Sequence, residues 1–210
     1  MNERDVYWWL GVTHADGYFY FKNNKVRELR LRVSICSLSM LKKWGKIIDK
    51  LTEKKHRLLL EKMYDPRSER KFDQYLVREG SQASLSLLNS LFLKKKIKLT
   101  SIVVPDCCYH SNVRSGAYLA GIIDGDGCIQ LRKHYVDGHL ERLLKITTNN
   151  KKHLEQIQSL LRSVGLSSGY ITDYVRHFDL WVYLNKKSIG WFKKYVVQNL
   201  AIKRKAFRFK

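Results

Sequence analysis

Two short segments carry the residues best suited to chemistry: an aspartate followed by a glycine at Asp16-Gly17 and again at Asp126-Gly127, 110 positions apart. Each closes an apolar run with small residues spaced by four, Trp9-Leu10-Gly11-Val12-Thr13-His14-Ala15 in the first and Leu119-Ala120-Gly121-Ile122-Ile123-Asp124-Gly125 in the second. Such spacing forms one stripe of a helix, where a missing side chain lets another backbone come close. The expected neighbour is the other copy, with Gly11, Ala15, Gly121 and Gly125 as the interface. Glycine just past a helix end reads as a left-handed cap, which puts Asp16 and Asp126 in the last turn. The helix dipole is negative there, and two such acids side by side repel each other. A divalent cation held between them would remove both penalties, because hard cations take oxygen ligands. The alternative is two solvated acids beside two caps.

The rest of the composition narrows the partner. Forty Lys and Arg against nineteen Asp and Glu give a net charge of +21, beyond what solubility requires, so a polyanion and by default nucleic acid is expected. With 210 residues and 44% hydrophobic content the chain can bury a core as one domain or two small ones. No long apolar run or lipidation motif supports a membrane partner. Cys36, Cys107, Cys108 and Cys128 lack C-x-x-C spacing, so neither zinc nor a disulfide framework follows, and they read as reduced thiols of an intracellular protein.

The elements that must position the acids follow from periodicity. A motif helix over 4–15 leads into a strand in which Phe19 and Phe21 alternate with Tyr18, Tyr20 and Lys22, then a turn at Asn23-Asn24. A second strand sets Leu29, Leu31, Val33 and Ile35 against Arg30, Arg32 and Ser34. A helix over 39–51, strands over 57–64 and 71–78 around the turn Asp65-Pro66-Arg67-Ser68, and a helix over 82–92 complete the half. The second half repeats this order, which argues for duplication. Ile129 and Leu131 replace Phe19 and Phe21, while Gln130, Arg132 and His134 take the wet face. A longer loop around Asp137-Gly138 makes Ile146 correspond to Val33. A helix over 152–164, strands over 169–174 and 178–184, and a helix over 188–198 follow. The aromatics Phe19, Phe21, Trp44, Trp191 and Phe192 read as core. The basic runs Lys94-Lys95-Lys96-Ile97-Lys98 and Lys203-Arg204-Lys205 read equally as solvated surface or phosphate contacts.

The paired segments resemble the two motifs of single-chain LAGLIDADG homing endonucleases, matching at seven of nine positions in the second copy and four in the first. The resemblance implies an α+β fold of two pseudo-symmetric αββαββα halves, each with a four-stranded antiparallel sheet, packed through the motif helices, with the sheets forming a saddle over DNA. Residues 1–104 would be the first half, 105–114 a linker and 115–210 the second half. In the family the eighth-position acids, here Asp16 and Asp126, hold a divalent cation, Mg2+ or another such as Mn2+; the backbone carbonyls of Ala15 and Gly125 are further candidate ligands. The sixth position is Asp124 in one copy and His14 in the other.

Alternation along the strands would turn Tyr20, Lys22, Arg30, Arg32, Gln130, Arg132, Lys145 and Thr147 toward the DNA. Where the family places a basic or amide side chain near the site, this chain has Cys36-Ser37 and Asn149-Asn150, so Lys186 and Arg78 stand as substitute catalytic residues. The implied function is intron-encoded, site-specific hydrolysis of double-stranded DNA by a monomer at a long asymmetric target. Two alternatives stay open: an RNA maturase acting on intron RNA, and a DNA-binding module of the same fold without cleavage. The expected location is intracellular, in cytoplasm or nucleoid, with an organelle not excluded.

Overall fold

The computed structural model describes residues 1–23, 25–65, 69–133 and 140–209. Asn24, the turn residues Pro66, Arg67 and Ser68, the strand position His134 and the loop at Asp137-Gly138 lie outside the described residues. In chain order the first elements are α1 (Glu3–Asp16), β1 (Gly17–Lys22), β2 (Lys25–Ser34), α2 (Leu38–Thr52), β3 (Leu59–Asp65), β4 (Arg70–Glu79) and α3 (Gln82–Leu93). Then come α4 (Asn112–Asp126), β5 (Gly127–Lys133), β6 (Leu140–Thr148), α5 (Lys151–Ser163), β7 (Tyr170–Asp173), β8 (Phe178–Tyr183), α6 (Lys186–Tyr195) and α7 (Lys203–Phe207). The strands form two antiparallel four-stranded sheets of identical topology, β1-β2-β4-β3 and β5-β6-β8-β7. This is the α+β arrangement with repeated halves that the periodicities imply.

Contacts divide the chain into two compact units that do not follow sequence order. Met1 and residues 16–101 form one; residues 2–15 and 102–210 form the other. Helix α1 up to Ala15 therefore packs with the second unit. Between the repeats, residues 106–108 form a short 3-10 turn and α4 already begins at Asn112, within the stretch expected to link the halves.

In the first unit, Leu29, Leu31 and Val33 of β2 meet Met40, Leu41, Trp44 and Ile48 of α2 and Leu85, Leu88 and Phe92 of α3, all buried. Buried Glu79 bonds His56 Nε2 at 2.8 Å, and His56 Nδ1 bonds Asp49 at 2.7 Å, tying the loop after α2 to β4. In the second unit, Leu144, Ile146, Leu180 and Val182 pack under Leu154, Ile157, Leu160 and Leu161 of α5.

Three expectations are corrected. Gly127 does not cap α4 in the left-handed region: its φ is −89° and ψ 147°, and among the described glycines only Gly165 and Gly169 have positive φ. Gly17 and Gly127 instead open strands β1 and β5 directly, and a Cβ at Gly127 would lie 2.5 Å from Ile123 Cα. Glycine is there for space. Second, Gly17 pairs with Leu31 and Gly127 with Ile146, so Ile146 corresponds to Leu31 rather than Val33. A register shift between Tyr20 and Phe21, together with unequal connections, sets the slip. Because the slip is two residues, every side chain keeps the face that alternation assigns. Third, Phe21 and Leu131 are 50% and 41% exposed: Phe21 lines an open concavity with Gln82, Leu85 and Asn89 of α3, and Leu131 lines another with Arg204, Phe207 and Arg208.

Candidate functional site

The second unit brings the two apolar motif runs together. Arg114 Nε bonds Glu3 at 2.8 Å near their starts and Gly11 lies against Gly121 further on, so α1 and α4 run in the same direction. A methyl at Gly11 would strike the Tyr118 carbonyl, and one at Gly121 would strike the Trp8 carbonyl and come 2.7 Å from the Val12 nitrogen. The obstacles are backbone atoms, which cannot rotate away, so only glycine permits this approach. Ala15 and Gly125 end the two packed runs. Asp16 follows Ala15 by one peptide bond and is exposed, and Asp126 is half-buried.

Two residues inside this region do structural work that sequence alone did not assign. Asp124, 1% exposed, accepts hydrogen bonds from Trp8 Nε1 at 2.8 Å, the Ala201 amide at 2.7 Å and the Ile202 amide at 3.1 Å. Burial pushes its carboxyl above the ordinary value; the Ala201, Trp8 and Ile202 donors and the Lys205 charge pull the other way. The ammonium of Lys205 in turn donates to the carbonyls of Ile123 at 2.6 Å, Asp124 at 2.7 Å and Gly125 at 3.3 Å. Segment 201–205 thus latches the C-terminal end of α4, and a cation neutralises its dipole one residue before Asp126. In the sequence Lys205 stands only as part of a basic run, because its partners lie about 80 positions earlier.

The wet faces of the sheets carry the expected polar side chains in two states. Tyr20, Lys22, Gln130 and Arg132 are exposed. Arg30, Arg32, Lys145 and Thr147 are half-buried and held. In the first unit Arg32 Nη2 meets Glu61 at 2.6 Å, and Arg30 pairs with Glu28 at 3.5 Å while lying 4.4 Å from the Tyr18 ring centre. In the second, Asp179 binds Lys145 Nζ at 2.8 Å and Thr147 Oγ1 at 2.6 Å. Burial acts to raise the pKa of Asp179, but the Lys145 and Thr147 bonds outweigh it and leave the carboxyl below its usual range. These acids fix the direction of the basic groups and reduce the local charge.

The substitute catalytic residues fare differently. Arg78 is exposed and pairs with Arg30, which pairs with Tyr18, so it shares their face two strands from β1. Lys186 opens α6 beside Glu141 and Tyr183. Glu141 lies five residues along β6 from Ile146, the partner of Gly127, which is roughly 16 Å of strand. The fold does not bring Lys186 to the end of α4. Asn150 is the N-cap of α5, accepting from the His153 amide at 3.2 Å, and Cys36 lies in a 3-10 turn with Sγ 2.9 Å from Ser34 Oγ. Among the described residues no three His, Cys, Asp or Glu side chains cluster as metal ligands. No helix among them is long and apolar enough to cross a membrane.

Residues 115–196 match the profile of a family described as LAGLIDADG-like domain. No curated protein matches the chain at a comparable level. The homing endonuclease I-WcaI bound to its DNA recognition sequence is similar in structure at a TM-score of 0.66 and 12% identity, over 100% of this chain and 87% of that one. I-DmoI in complex with DNA and Mn is similar at 0.53 and 17% identity, over 93% and 98%. The N-terminal LAGLIDADG domain of DUF199/WhiA is similar at 0.55 and 15% identity, over 96% and 82%. At these identities the likeness is one of fold: the chain has the fold of LAGLIDADG homing endonucleases, and residues 115–196 are similar to a LAGLIDADG-like domain.

Proposed function

We propose that the protein is a site-specific endonuclease of the intron-encoded homing type, acting as a monomer on double-stranded DNA at a long asymmetric target with Mg2+ or Mn2+. The observation that carries this reading is the glycine-sealed packing of α1 on α4, since each helix ends in an aspartate, Asp16 or Asp126. Structural neighbours solved with DNA, and one with DNA and Mn, support the substrate and cation.

The donor set suits a hard cation. Each helix ends in one solvent-accessible carboxylate, Asp16 or Asp126; of the softer donors two residues away in sequence, His14 is buried and Cys128 is exposed on β5. Mg2+ is held in this way, by one or two carboxylates with water and phosphate oxygens completing the shell. When bound, the cation polarises the phosphate and lowers the pKa of its water. The chain's own residues do the rest. Tyr20, Lys22, Gln130 and Arg132 are free to meet base edges or phosphates, while Arg30, Arg32 and Lys145 present charges already oriented by their acid partners. Lys205 keeps the end of α4 closed and so holds Asp126 in place.

A second reading, a DNA-binding module without cleavage, gains from one contact: the Lys205 ammonium already sits on the Gly125 carbonyl, a candidate metal ligand. Cleavage of DNA carrying the target sequence, assayed with Mg2+, separates the two. Asp16→Asn and Asp126→Asn should each lower the rate ~100-fold or more while leaving DNA affinity nearly unchanged, because the lost charge acts on the transition state and binding rests on many basic contacts. Glu155→Gln, at an exposed acid of α5, serves as the control. Unimpaired cutting by both aspartate variants would refute the nuclease mechanism, and a wild-type protein that binds the target without cutting it would favour the module.

A further inference from the structure

The wet face of the second sheet carries a group of exposed aromatic side chains. Tyr170 pairs with Trp181 across β7 and β8, and Trp181 pairs with Lys145 across β8 and β6. Tyr183 and Gln130 both pair with Leu143. These side chains therefore share one face, opposite the buried Leu144 and Val182. Tyr170, Trp181, Tyr183 and Gln130, together with Tyr174 and Arg132, line a concavity of about 340 Å³. Tyr170 is 52% exposed, and Tyr174 and Tyr183 are each 44% exposed, so the rings are not spent on the core. Trp181 and Tyr174 each have a neighbour that fixes the ring. Lys145 Nζ lies 5.0 Å from the Trp181 ring centre, and Tyr174 stacks on His177 with centroids 4.8 Å apart and planes 20° from parallel.

The lining selects its ligand by chemistry. Ring faces call for a flat π system; the Gln130 amide and Arg132 guanidinium call for an edge rich in acceptors and donors; the excess of positive charge calls for an attached polyanion. Two acids share this face: Asp179 is occupied by Lys145 and Thr147, and Glu141 lies across the strands from the Arg132 guanidinium. An unpaired nucleobase on its strand meets all three demands. A duplex offers only base edges in its grooves, whereas a single strand offers base faces.

We infer that the β7–β8 face of the second unit is a binding site for single-stranded nucleic acid, with one or two unpaired bases stacked among Tyr170, Trp181 and Tyr183. This goes beyond duplex cleavage and does not depend on it, since neither Asp16 nor Asp126 takes part.

The test uses the full chain in EDTA, so that no cleavage intervenes. Fluorescence anisotropy would follow binding of an unstructured 12-nucleotide RNA, the DNA of the same sequence, and a 12-base-pair duplex. Both single strands should bind, and whichever binds more tightly identifies the natural source as RNA or DNA. Tyr170→Leu and Tyr183→Leu keep apolar cover but remove a ring face, and each should weaken single-strand binding ~5-fold or more, the lower range for one lost base stack. Tyr170→Phe should retain it. Duplex binding should change less than about two-fold in all three variants, because phosphate contacts dominate it. Leucine variants that bind single strands as the wild type does would overturn the proposal. So would equal losses on duplex and single strand, which would make these tyrosines ordinary duplex contacts.

Discussion

Lowering the pH from 8 to 5 should destabilise the second unit through two buried histidines. His14 and His153 are 4% and 3% exposed and share one hydroxyl: Tyr118 Oη lies 2.9 Å from His14 Nδ1 and 2.8 Å from His153 Nε2. A phenol has one proton, so it donates to one ring and accepts from the other, which suits two neutral imidazoles. Burial, reinforced at His14 by the neighbouring His153, lowers the pKa from 6.5 to about 3 at His14, and burial lowers it to about 4 at His153. His14 Nε2 has no hydrogen-bond partner, so a proton added there would be buried unsatisfied. Both groups are neutral when folded and take up a proton when unfolded below pH 6.5, so their contribution is complete above that value and is lost as the pH falls toward the folded pKa. At pH 5 the loss is ~2 kcal/mol for each, or ~4 kcal/mol for the pair, at ~1.36 kcal/mol per pH unit. Asp124, with its raised carboxyl pKa, runs the opposite way: its contribution falls as the pH rises through the acid range. Urea unfolding followed by tryptophan fluorescence at pH 8, 6.5 and 5 would compare the wild type with a His14→Gln, His153→Gln double variant. The variant should be less stable at pH 8 but lose ~4 kcal/mol less on acidification. Equal losses in the two proteins would refute the reasoning, whatever the remaining five histidines contribute.

Asp124→Asn leaves one of its amide donors facing an NH2 group in a buried site, and should cost the second unit about 2 to 4 kcal/mol with earlier proteolysis of segment 201–209; urea unfolding within 0.5 kcal/mol of wild type would count against the latch. Gly121→Ala places a methyl 2.7 Å from the Val12 nitrogen and 2.9 Å from Gly11 Cα, so denaturant unfolding should show about 1 to 3 kcal/mol of destabilisation. Lys205→Met removes the ammonium from three carbonyls; it should lower stability by about 1 to 2 kcal/mol and tighten Mn2+ binding by calorimetry, whereas unchanged Mn2+ affinity would mean that the Gly125 carbonyl is not a ligand. Duplex affinity should fall with salt at a log–log slope of about −6 or steeper, at ~0.9 per neutralised phosphate, and a slope near −2 would place the positive charge away from the DNA.

Local pattern was enough for the repeated helices and strands and for the faces of the strands, since periods of 2 and 3.6 depend only on neighbouring residues, but not for the short α7, which reads as a basic run. Phe19, Leu29, Leu31 and Ile129 disclose the sheets, and Gly11 and Gly121 disclose the close helix contact, because only glycine leaves room for a crossing backbone. Register was not legible: it depends on the bulge in the first hairpin and the length of the second, and it moved Ile146 from Val33 to Leu31 without changing any face. The role of Asp124 was invisible for another reason. An acid in a motif looks reactive until the fold surrounds it with Trp8 and the amides of 201 and 202, contacts made across 116, 77 and 78 residues. Lys205 on the Gly125 carbonyl and Asp179 on Lys145 share that origin. Sequence sets which groups carry charge, but whether a charge meets solvent, a helix end or a counter-ion is decided when distant segments pack.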